Sequence, residues 1–150
     1  MRFRAAVLIF VFALLMCSGL ASAKVGVGVI LGEPTGFSFK RWFNDETAFD
    51  LASGWSLAHG DFYLHGDYLW HRVVFDETVG GSAPLYFGVG ARILLRDDED
   101  SEIGVRIPVG LDFPLGDGRF DVFVEIAPML NVVPDTEFDL SGGVGARFYF

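Results

Sequence analysis

The chain has 150 residues, is 51% hydrophobic, contains 16 phenylalanines and carries a formal net charge of −9 from 11 basic and 20 acidic residues. An acidic surplus of this size excludes nucleic acid as a partner, because such binding rests on Lys and Arg neutralising phosphates. The single cysteine, Cys17, lies near the N-terminus in a segment with export character, so the rest of the chain has no thiol for a disulfide, a thiolate metal site or a nucleophile.

In chain order, Arg2 and Arg4 precede an unbroken apolar run from Ala5 to Met16 and the small-residue triplet Ala21, Ser22, Ala23. This is the pattern of a cleaved secretory signal peptide over residues 1–23, too short to be a spanning helix. The domain proper is expected to start at Lys24 and to run to Phe150. Bulky Met16 before Cys17 argues against lipidation at that cysteine. No later apolar stretch reaches the length of a transmembrane helix, so any membrane crossing has to be made by strands.

From Lys24 onward, apolar residues alternate with small or polar ones, the mark of strands with two unlike faces. Eight runs are predicted. The first sets Val25, Val27, Val29 and Leu31 against glycines, and the second sets Phe37 and Phe39 against Ser38 and Lys40, with a turn at Gly32–Thr35. The third places Phe49, Leu51, Trp55 and Leu57 opposite Asp50, Ala52, Gly54 and Ser56. The fourth places Phe62, Leu64, Tyr68 and Trp70 opposite Tyr63, His65, Asp67 and His71. In the fifth, Leu85 to Ile93 alternates with Tyr86, Gly88, Gly90 and Arg92. The sixth runs from Ile103 to Leu111, with Gly104, Arg106, Pro108, Gly110 and Asp112 on its other face. The seventh pairs Val122, Val124 and Ile126 with Asp121, Phe123 and Glu125, and the eighth pairs Leu140, Val144, Ala146, Phe148 and Phe150 with Ser141, Gly143, Gly145, Arg147 and Tyr149.

Eight consecutive strands with short connections describe an all-β, antiparallel up-and-down β-barrel, closed so that no edge is left unpaired. Its large residues are expected to face lipid and its small and charged residues the lumen, because the polar-side set is rich in glycine and carries both signs of charge. The expected lumen network is Lys40, Asp50, His65, Asp67, His71, Arg92, Arg106, Asp121, Glu125 and Arg147. Aromatics near run ends, among them Trp42, Phe43, Phe62, Trp70, Phe113, Phe120, Phe138 and Phe150, suit interfacial girdles. Phe148, Tyr149 and Phe150 look like the terminal-strand signature read by the outer-membrane assembly machinery.

The segments GEPTG (Gly32–Gly36), YLHGDYLWH (Tyr63–His71), FGVGAR (Phe87–Arg92), GVRIPVG (Gly104–Gly110) and GARFYF (Gly145–Phe150) carry a family likeness. Together they resemble the BAPKO-type family of small bacterial outer-membrane β-barrels, which has no assigned activity and is similar in architecture to the OmpA and OmpX barrels. The resemblance implies a fold and an outer-membrane location more firmly than a function.

Several motifs admit a sharper chemical reading. His65, Asp67 and His71 share one strand face and suit a base with its orienting carboxylate, or a metal site; the plainer reading is a hydrogen-bonded lumen. The acidic run Asp97–Glu102 has oxygen ligands for Ca²⁺ but not the glycine of an EF-hand loop, and reads as a solvated hairpin tip. Gly26, Gly28 and Gly32 echo a nucleotide-binding loop without the flanking strand and helix. Arg92, Arg106 and Arg147 suit either a pore constriction or an electrostatic plug, and eight strands leave little room for a pore.

The sequence therefore predicts a non-enzymatic, monomeric outer-membrane barrel with a structural or surface-interaction role and no cofactor. Its partners would be membrane lipid, the assembly machinery and an unknown extracellular ligand. The alternatives are a membrane-embedded hydrolase acting on lipid or peptide, and a soluble periplasmic barrel that binds a small ligand.

Overall fold

The computed structural model describes residues 24–57, 60–75, 83–97 and 100–150. The predicted signal peptide, His59, the connection 76–82 and the acidic pair Asp98 and Glu99 lie outside the described residues. Alternation is realised almost residue for residue. In β1 (Val25–Gly32), β2 (Thr35–Trp42), β3 (Thr47–Trp55) and β4 (Phe62–Phe75), successive side chains point to opposite sides of one antiparallel sheet. The sheet continues through β5 (Ala83–Leu95), β6 (Glu102–Arg106), β7 (Val109–Leu115), β8 (Phe120–Val133) and β9 (Glu137–Tyr149). There is no helix among the described residues, and so none that crosses a membrane; this says nothing of strands.

β1 pairs with β2 on one side and with β9 on the other, while β4 pairs with β5, so the sheet returns on itself as a ring. The ring has nine strands where eight runs are predicted. The sixth run is divided at Ile107 and Pro108, and its two pieces, β6 and β7, both lie between β5 and β8. Pro108 has no N–H to give to the ladder, which interrupts regular pairing. Its carbonyl still accepts from the Gly88 amide at 2.9 Å, and the Ile107 amide donates to the Pro128 carbonyl at 3.0 Å.

One further boundary differs from expectation. β8 runs to Val133, beyond the end of the seventh run at Ile126, and Asn131 is an inward-facing strand residue. The Asn44–Thr47 connection is fixed by Asn44 Oδ1, which accepts from the amides of Glu46 (2.8 Å) and Thr47 (2.9 Å).

The distribution of side chains is inverted relative to a water-soluble fold. Arg92, Arg106, Arg147 and Lys40 are among the largest fully buried side chains, whereas Leu31, Phe37, Phe138 and Leu140 are each 60% exposed or more. The outer face carries ring contacts at both rims. On the rim that holds Lys24 and Phe150, Phe43 stacks on Tyr68, Tyr68 meets Trp70, and Trp70 stacks on Phe87; Phe148 meets Phe120 and Phe150. Trp55 meets Phe62 on the opposite rim, beside Pro34 and Asp61. Trp42, expected in the outer girdle, instead sits on the inward side of β2, with Lys40 Nζ 4.6 Å from its ring and the His71 ring 4.2 Å away.

A closed column of charge inside the ring

The ring interior is filled from rim to rim by side chains that alternation turns inward. Nearest the Lys24 rim, Tyr149 donates to Asp121 at 2.6 Å. Next, Lys40 reaches across from β2 to Asp112 on β7 (2.5 Å) and to His71 Nε2 on β4 (2.8 Å), with His71 Nε2 3.1 Å from the same carboxylate. Arg147 lies face-on to Phe123 at 3.8 Å, donates to Ser38 Oγ at 3.1 Å and approaches Asp50 at 3.4 Å.

The middle of the column rests on a like-charge pair. Asp50 and Asp67 face each other across β3 and β4 in register, an arrangement that is destabilising on its own. Cations from across the ring offset it. Arg106 projects from β6 with Nε 3.2 Å from Asp67, while its two terminal nitrogens bond His65 Nδ1 and Glu125 Oε1. Glu125 also accepts from Tyr86 Oη at 2.8 Å. Gly90 leaves space for the Asp67 carboxylate, with which an added Cβ would collide. Toward the Pro34 rim, Arg92 donates to Asn131 (2.6 Å), Glu102 (3.0 Å) and Asp139 (3.0 Å). Glu102 is also bound by Arg96 at 2.7 Å.

All ten residues singled out for the interior network are buried there. The structure does not bring His65, Asp67 and His71 into one site. His65 and Asp67 belong to the Arg106 cluster, whereas His71 belongs to the Lys40 cluster. Asp112, Tyr63, Tyr86 and Ser38, which the expected network does not contain, share the inward parity of their strands and are buried with it. Asn131, Glu102 and Asp139 lie beyond the ends of the runs seen in the sequence. Replacing Asn131 with leucine, which deprives Arg92 of its shortest contact, is expected to cost about 1–3 kcal/mol, read as a lower denaturant midpoint.

Asp50, His65 and Asp67 offer one donor atom each within 4.8 Å, the donor types of a metal site. Their other contacts argue against that use. Arg106 donates to His65 Nδ1, which leaves the imidazole proton on Nε2, the atom that faces both carboxylates at 3.6 Å. Both carboxylates already face guanidinium groups. At the Pro34 rim an open cleft of about 740 Å³ is bordered by Asp97, Asp100, Glu102, Asp135, Glu137 and Arg96.

Comparison with protein-family models, with curated proteins and with solved structures returns no match to this chain.

Proposed function

We propose that this chain is an exported outer-membrane β-barrel with a structural or surface-interaction role and no enzymatic activity, its lumen plugged by paired charges. The observation that carries the reading is the inverted ring: a continuous apolar exterior around an ionic interior. A lipid environment stabilises that exterior, since burying apolar area is worth about 25 cal/mol per Å², whereas water would leave it a contiguous sticky surface. Closure supports the same reading, because a sheet in hydrocarbon can leave no backbone edge unpaired. The aromatic contacts at the two rims fit the headgroup levels. Phe148, outward on β9, and Phe150 just after it fit a strand recognised by an assembly machinery, and the resemblance of the sequence to the BAPKO-type family, similar in architecture to the OmpA and OmpX barrels, points the same way.

The interior bears on the alternatives. A carrier of small apolar ligands needs an apolar cavity, and here arginines and carboxylates fill that space. A hydrolase needs a base within reach of substrate, whereas His65 and His71 are each enclosed and committed to different partners.

The test is fractionation of cells followed by electrophoresis of the detergent-extracted protein with and without boiling. Recovery with outer membranes and a band that shifts on boiling is the expected result. A soluble protein whose mobility is indifferent to heat overturns the proposal.

A further inference from the structure

The cations of the Lys24 rim are not alike. Arg72 pairs with Glu46 at 3.5 Å, Arg119 pairs with Asp117 at 3.2 Å, and Lys24 Nζ lies 4.8 Å from the centre of the Tyr149 ring. Arg41, outward on β2, has no ion-pair partner among the described residues. Its guanidinium lies 5.9 Å from the Phe43 ring, and its Nε is shielded from solvent without a hydrogen-bond partner. Register places Val25, Arg41 and Phe49 in one outward row across β1, β2 and β3, Val27, Phe39 and Leu51 in the next, and Val29, Phe37 and Ser53 in the third. Ser53 is small where its neighbours are large, and a groove of about 220 Å³ lies over Val27, Phe37, Phe39, Leu51 and Ser53. The groove begins one row from Arg41 and runs along the strands away from the rim. We infer that this wall binds one anionic phospholipid, its phosphate on Arg41 and one acyl chain in the groove. The inference rests on the membrane proposal.

Charge and shape select the occupant together. A guanidinium carries parallel N–H donors that match the oxygens of a phosphate, and at Arg41 no carboxylate competes for them. The groove beside it is lined by aliphatic and aromatic carbon, which gives a soluble anion nothing to bind and gives a hydrocarbon chain a place to lie. From Arg41 to Phe37 the strand advances by about 13 Å, against about 15 Å of hydrocarbon in one leaflet. A headgroup at Arg41 therefore has its chain alongside the groove without bending out of the bilayer. A zwitterionic lipid also carries a phosphate, but its own ammonium group repels the guanidinium. The net charge of the headgroup is what Arg41 discriminates, since cations at a membrane surface favour anionic lipids.

The experiment is native mass spectrometry of the detergent-extracted protein, titrated with phosphatidylglycerol or with phosphatidylcholine of the same acyl chains. The wild type is expected to retain one phosphatidylglycerol and to favour it over phosphatidylcholine by on the order of tenfold. Arg41→Gln is expected to lose that preference, whereas Arg72→Gln, whose guanidinium is already held by Glu46, is expected to keep it. Ser53→Phe fills the groove and leaves Arg41 in place, and is expected to hold the lipid more weakly. A wild type that takes up both lipids alike, or an Arg41→Gln protein that keeps the preference, overturns the site. A dimer in place of the lipid adduct also overturns it and gives the groove to a second copy of the chain. Should Arg41→Gln fail to fold, Ser53→Phe decides, and undiminished retention in that variant sinks the site. The band shift on boiling separates the two proposals. A protein that shifts yet holds no anionic lipid overturns the site alone, and one that does not shift overturns the membrane reading and the site with it.

Discussion

Replacing Arg106 with methionine is expected to lower stability by about 3–5 kcal/mol, the range for removing one partner of a buried ion pair. Arg106 is 1% exposed and is shared by Tyr63, His65 and Asp67 on β4 and Glu125 on β8. Its loss leaves the Asp50–Asp67 pair opposed with Arg147 as the remaining guanidinium, and leaves Glu125 with Tyr86. Methionine fills most of the volume, so the loss is electrostatic rather than a cavity effect. The damage should be conditional. Combining Arg106→Met with Glu125→Gln and Asp67→Asn removes the orphaned charges and is expected to recover much of the loss, since the cost lies in uncompensated burial. Denaturant midpoints of the wild type, single and triple variants check this. A triple variant no more stable than the single would show that Arg106 acts through shape and not through charge.

Val144→Arg is expected to cost about 2–4 kcal/mol in lipid vesicles, the range for a cation near the bilayer midplane on the lipid face of a barrel. Val144 points outward, half exposed, near the middle of β9, and lies opposite Leu31 on one side and Val124 on the other. A surface substitution facing water usually stays within about 0.5 kcal/mol, so the magnitude separates a lipid-facing exterior from a wet one. Depth supplies an internal control: Phe138→Arg, near the Pro34 rim, should cost about 0–1 kcal/mol because the penalty fades toward the interface. Equal, small effects at both positions would count against the membrane proposal.

Much of this was readable in advance because strand parity is a local property. A period of two assigns a face to each residue without knowledge of neighbours, which is why Lys40, His65, Arg92, Arg106 and Arg147 could be placed together on one side. Partnership is not local. Which carboxylate Arg92 meets depends on where β6 and β9 begin, and Glu102 and Asp139 lie outside the alternating runs. The same limit explains the grouping of His65 with His71: parity puts both inside, but six residues of extended chain carry them to different levels of the column. Asp112 was legible by parity, since it continues the inward face of Gly104, Arg106 and Gly110. Pro108 likewise carried its own signal, since a residue without an N–H is a poor fit in a continuous ladder.

The pairing of β1 with β9 has a kinetic consequence. Val27 and Phe148 are register partners although nearly the whole described chain separates them. Contacts of such long sequence separation form slowly, because the loop must close before the contact rewards it. Until they form, the sheet exposes two unpaired edges together with its apolar outer face, a combination that invites association with other chains. The finished ring hides the edges. The nascent chain does not, and on the membrane proposal its transit calls for a holding chaperone that masks the sheet until its first and last strands meet.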